Sequence, residues 1–209
     1  MKKFTTILLI SIILVSCSRP NDKKENETPE EKKQTVSEAV TNKDEYGCEI
    51  LGKTNDKQIN GIEIAYFLNR SDIDTTSKAY YTGSHELYDD EKTFEIMDSL
   101  DTKNANTRPF YFYNMYKMVG ETDGALTEII GNYIADYARK YPREFICYLQ
   151  RQPYSGRRDE FLSLMGWNLY TKEMKDSFKK DAFKNCNDCN EKTMRKLKEY
   201  IKVVYDFKG

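Results

Sequence analysis

The sequence holds a single histidine, His85, and a single tryptophan, Trp167. One histidine excludes zinc sites built on histidine pairs, and any hydrolytic triad would have to use that one residue. With 10 glycines and 5 prolines in 209 residues, the chain is too poor in turn formers for an all-β protein of many short strands. It carries no Gly-rich phosphate loop and no nucleophile elbow. It also lacks an apolar run of about 20 residues, the length a membrane-spanning helix needs. Net charge is −1, and the charged stretches mix both signs, so no nucleic-acid-binding arm is expected.

The longest apolar stretch runs from Phe4 to Val15, broken by Thr5, Thr6 and Ser11 and preceded by Lys2 and Lys3. Its charge and length suit a secretory signal over residues 1–16. The stretch ends in Leu14-Val15-Ser16-Cys17, which resembles the lipobox of bacterial lipoproteins. That resemblance covers the first 17 residues only. It implies cleavage before Cys17, a diacylglycerol on its thiol and a freed amine open to further acylation, with fatty acids such as palmitate. Two or more chains anchor stably where one does not. Ser18 after the anchor, rather than Asp, is compatible with outer-membrane sorting in some bacteria, again by resemblance.

Residues 17–45 then form a charged stem. No aromatic precedes Tyr46 beyond the signal, and Val36 and Val40 are nearly the only large aliphatics. Such a segment cannot bury enough surface to offset its ordering entropy, so a disordered tether reaching roughly 30 Å is expected. Residues 46–209 are of single-domain length. From Asp44 to Asp136 there are 18 acidic and 8 basic residues, and from Arg139 onward 10 acidic and 17 basic. The two halves therefore attract each other within the fold, or present a bipolar surface to a charged partner.

Four cysteines lie in the domain: Cys48, Cys147, Cys186 and Cys189. In an exported chain an even count points to two disulfides, and three pairings are open. Adjacent spacing favours Cys186–Cys189, leaving Cys48 with Cys147.

From residue 86 onward the text is helical. Leu126, Ile129, Ile130, Tyr133, Ile134 and Tyr137 recur at i, i+3, i+4, i+7, i+8 and i+11, one face of a helix. Pro109 and Pro142 suit first-turn positions, and Asn190 can cap a final helix carrying Met194, Leu197, Ile201 and Val204. Helix starts are expected near 88, 108, 124, 142, 157, 172 and 190. The stretch 47–68 reads equally as strand or helix, with Gly61 weakening both. The expected fold is all-α: an irregular bundle or short solenoid of about seven helices, with room for a strand or hairpin near 48–68.

Candidate chemistry is sparse. A redox role for Cys186-Asn187-Asp188-Cys189 would want a preceding strand, whereas an amphipathic helix precedes it. His85 lies beside Glu86, Asp89, Asp90 and Glu91, where acids at a helix start are the simpler account. Asp72 and Asp74 begin like a calcium loop, but Ser77 and Gly83 stand where its glycine and final glutamate belong. No metal site, cofactor or catalytic residue is expected. Arg151, Tyr154, Arg157 and Arg158 form a candidate binding patch, since Arg and Tyr are enriched at interface hot spots. The reading is a membrane-anchored envelope lipoprotein whose non-catalytic helical domain binds an envelope or secreted protein, as a scaffold, assembly factor or immunity-type protein. A binder of glycans or small ligands through a Tyr-rich surface is the alternative. An enzyme using His85 or the CxxC pair comes third.

Overall fold

The computed structural model describes residues 43–49, 52–122, 124–153 and 156–207. The signal, Cys17 and nearly all of the stem lie outside the described residues, as does Tyr154. Nine α-helices are present among the described residues: α1 (Ile64–Leu68), α2 (Thr75–Tyr81), α3 (Glu91–Asp98), α4 (Arg108–Glu121), α5 (Gly124–Lys140), α6 (Pro142–Arg151), α7 (Gly156–Asn168), α8 (Lys172–Lys184) and α9 (Glu191–Asp206). The fold is all-α with one minute hairpin.

That hairpin pairs β1 (Gln58–Ile59) with β2 (Ile62–Glu63). Asn60 and Gly61 join the strands with φ of 53° and 82°. Two left-handed residues in a two-residue loop make the Asn-Gly turn whose twist matches that of paired strands. The chain then runs directly into α1. Residues 58–68 are thus hairpin and helix in succession.

Local chemistry sets the helix starts. Asp74, Asp90, Thr171 and Asn190 each accept a hydrogen bond from the backbone N–H three residues on, at 2.6–3.1 Å. These caps satisfy amides that have no partner within the helix. Proline occupies the first turn of α4 and of α6. Helix α4 is buried on most sides, through Phe110, Phe112, Met115, Tyr116 and Met118. The ring of Phe112 meets those of Tyr137, Phe145, Tyr148 and Phe161, so one α4 residue touches α5, α6 and α7 at centroid distances of 5.4–6.1 Å. Helix α5 packs on α7 and α8, and α9 packs on α7 and α6. The result is a bundle around α4.

Both disulfides join elements of this body. Cys186 and Cys189 are paired across the turn between α8 and α9, with Cα atoms 5.0 Å apart. Cys48 and Cys147 are paired across 99 residues, at a Cα separation of 6.3 Å. The second bond ties residues 43–49 to α6. Around it Arg151 donates to Asp44 Oδ2 at 3.0 Å and to the Glu49 carbonyl at 2.6 Å. Asn190 Nδ2 donates to the Glu45 carbonyl at 3.1 Å, and Thr193 Oγ1 to that of Tyr46 at 2.6 Å. Asp44 and Glu45, expected at the end of the stem, are therefore bonded to the folded body.

Candidate functional site

Helix α7 buries Phe161, Leu162 and Met165 against the bundle. Trp167 lies off that face and is 50% exposed. The next turn leads through Tyr170, 78% exposed, into α8. The end of α9 closes the site from the other side. A Cβ placed on Gly166 would lie 2.6 Å from Phe207 Cβ, so the missing side chain is what admits Phe207 against α7. Phe207 then meets Trp167 edge-on, at 6.5 Å between ring centroids and 67° between planes.

Lys175 of α8 completes the arrangement. Its ammonium donates to the carbonyls of Tyr205 (3.2 Å) and Phe207 (3.4 Å), which fixes the end of α9. The Tyr205 hydroxyl donates to Asp176, and desolvation together with that carboxylate pushes its pKa up to about 12. Gly166, Trp167, Tyr170, Lys175 and Phe207 line a cleft of about 360 Å³, near the small end of the range for ligand pockets. Most other large aromatics of the body are buried or half-buried. The cleft offers open ring surface, one ammonium and no carboxylate.

A larger cleft, about 410 Å³, lies beside the Cys48–Cys147 bond. Arg143, Glu144 and Arg151 among its lining residues are engaged in holding the fold. Arg143 pairs with Asp188 at 2.8 Å, holding that carboxyl below its usual pKa. Arg151 pairs with Asp44. Glu144 takes both arms of the Arg108 guanidinium at 2.6 Å, and that guanidinium lies 4.3 Å over the ring of Tyr141. This cleft is a seam between residues 43–49, α4 and α6.

The three arginines singled out in the sequence each have partners among the described residues. Arg151 binds Asp44 and Glu49, with its side chain only 12% exposed. Arg157 donates to the Tyr116 carbonyl at 3.1 Å and lies 4.9 Å over that ring. Arg158 pairs with its neighbour Asp159 at 3.2 Å. The three guanidiniums share no partner.

His85 is half-buried in the loop before α3, and its Nε2 is buried without a hydrogen-bond partner. The acids around it have local duties. Asp90 caps α3, and Glu86 accepts from the Tyr88 hydroxyl at 2.5 Å. Among the described residues no group of three or more His, Cys, Asp or Glu is arranged to hold a metal ion.

Trp167, Tyr170, Lys175 and Phe207 escaped the sequence reading. One signal was present: Trp167 falls outside the Phe161, Leu162, Met165, Leu169 face of its own helix. The approach of Phe207 had no sequence signal, because it joins residues some 40 positions apart. No protein-family model, no curated protein and no solved structure matches this chain.

Proposed function

We propose that this chain is a lipid-anchored protein of a bacterial envelope whose helical domain binds another protein and performs no catalysis. Cys17 carries the anchor, residues 18–42 the tether, and Trp167, Tyr170 and Phe207 the contact surface. The supporting observation is the exposure of the only tryptophan beside Tyr170 and Phe207. An aromatic side chain buries 150–250 Å² in a partner and loses little rotamer freedom doing so, which is why Trp and Tyr dominate interface hot spots. Among the described residues no helix is long and apolar enough to cross a membrane. The lipobox-like Leu14-Val15-Ser16-Cys17 supports attachment by lipid.

Two experiments test this. Radiolabelled palmitate should enter the wild type, while Cys17→Ser should accumulate as unlabelled precursor. A photo-crosslinking residue at position 167 or 170 should join the protein to one discrete partner band in cells, and the same residue at Lys198, on exposed α9 surface, should not. Identical patterns at all three positions would remove the aromatic surface from consideration. The alternative, a glycan binder, draws support from the same open rings, whose faces suit the apolar face of a sugar. A saccharide that competes with the cross-link would favour it.

A further inference from the structure

We infer that the cleft between Trp167, Tyr170 and Phe207 takes an acidic segment of its partner, with one large apolar side chain seated among these rings and carboxylates facing the lysines of α8. The inference rests on the protein-binding reading above and adds the chemistry of the bound segment.

The size of the site comes first. A cleft of about 360 Å³ lined by three aromatic rings accommodates one large side chain, not an extended helix face.

The charge beside it comes next. Lys172, Lys175 and Lys179 stand at i, i+3 and i+7 of α8, so they share one face and span about 10 Å. Lys175 lines the cleft, and the stripe therefore runs past its mouth. Among the described residues none of the three has a carboxylate partner, whereas Arg108, Arg139, Arg143 and Arg151 all do. The acids nearby are Glu173, Asp176 and Asp206. Asp176 is turned toward α9, where its carboxylate accepts from the Tyr205 hydroxyl. Glu173 sits a quarter-turn from Lys172 on α8. Complementarity across an interface selects the opposite sign, so carboxylates are the groups this rim recognises.

Position agrees. Residues 45 and 46 are bonded to the first turn of α9, at Asn190 and Thr193, and the cleft lies past its last turn. Sixteen helical residues separate the two by about 24 Å. The point where the tether joins the body is thus at the far end of α9 from the cleft. A partner approaching the cleft meets no competition from residues 45 and 46.

The chain supplies its own probe, because its one tryptophan is in the site. The full chain, held in phosphatidylcholine nanodiscs, is titrated with two end-blocked hexapeptides, Glu-Asp-Phe-Leu-Asp-Glu and Lys-Arg-Phe-Leu-Arg-Lys. Chitobiose and phosphatidylglycerol-containing vesicles are titrated in parallel. The acidic peptide should move the Trp167 emission to shorter wavelength and reduce its quenching by acrylamide. Its affinity should fall about fivefold between low and physiological salt. Lys172→Gln/Lys179→Gln should weaken it by about the same factor with an unchanged melting curve. Lys175→Gln is the less clean variant, since that side chain also holds the end of α9. An equal or stronger response to the basic peptide, a response to chitobiose or vesicles alone, or none to any probe would overturn the inference. The cross-links from positions 167 and 170 report on protein binding itself, so a silent peptide with cross-links intact overturns only the acidic-segment inference.

Discussion

Arg108 illustrates how single side chains hold this domain. Its guanidinium is nearly buried and meets Glu144 in a two-pronged contact at 2.6 Å. Tyr137 adds a third bond to the same carboxylate at 3.2 Å. Removing one partner of such a pair leaves a charge in a poor solvent. Glu144→Ala should therefore destabilise the domain by about 3 kcal/mol, read as a lower urea midpoint at constant slope. The disulfides differ for a different reason. Cys48–Cys147 closes a loop of about a hundred residues and Cys186–Cys189 one of four. In the chain-entropy account the long loop restricts the unfolded chain far more. Cys48→Ala/Cys147→Ala should cost on the order of 4 kcal/mol, and Cys186→Ala/Cys189→Ala on the order of 1–2 kcal/mol. Equal losses in denaturant melts of the two variants would contradict that account here.

At the scale of elements, α9 does two jobs. Its inner face buries Leu197, Tyr200, Ile201 and Val204. Its first turn also receives residues 43–49, through the same Asn190 that caps it. Asn190→Ala removes the cap and the bond to Glu45 together. It should lower stability by about 1–2 kcal/mol and speed amide exchange at residues 46–48, while exchange in α4 stays slow. Uniformly faster exchange throughout would show that the N-terminal segment is not separately fastened. At its other end α9 leaves the helical path at Phe207, whose ring lies on Gly166. Gly166→Val would collide with that ring and displace it, so cross-linking from position 167 should fall even where the fold survives.

Across the whole molecule, tyrosine is the notable ionisable group. Tyr81, Tyr111 and Tyr200 are each raised to about 12, first by desolvation. Their phenols stay neutral in the folded state at pH values where the unfolded chain, with pKa near 10, already ionises. Below pH 10 both states are protonated and their contribution is intact. Between pH 10 and 12 the unfolded state alone releases protons, and stability falls as pH rises. Tyrosinate absorbance should therefore rise together with loss of helical circular dichroism in that window. A simple titration centred near 10 with helicity retained would show these rings to be solvated.

The positions of α3 to α9 were legible because their causes are local, whereas α1 and α2 were not placed. Pro109, Pro142, Thr171 and Asn190 act within a turn of themselves, and the amphipathic period of α5 lies within 17 residues. The Asn60-Gly61 turn was local too. It was obscured because Ile59 and Ile62 suit a helix spacing as well as a strand pair. The fates of Arg151 and Trp167 were not local. In sequence Arg151 stands near a Pro-Tyr-Ser-Gly turn, where exposure is the ordinary outcome, yet a segment more than a hundred residues earlier folds over it. Trp167 stands one residue from a glycine whose purpose is defined only by Phe207. The sequence by itself determined an all-α chain and the starts of its main helices, since periodicity and capping are properties of neighbours. Only the tertiary structure decided which arginines are occupied and which aromatic rings remain open, since each depends on surfaces that distant segments bring together.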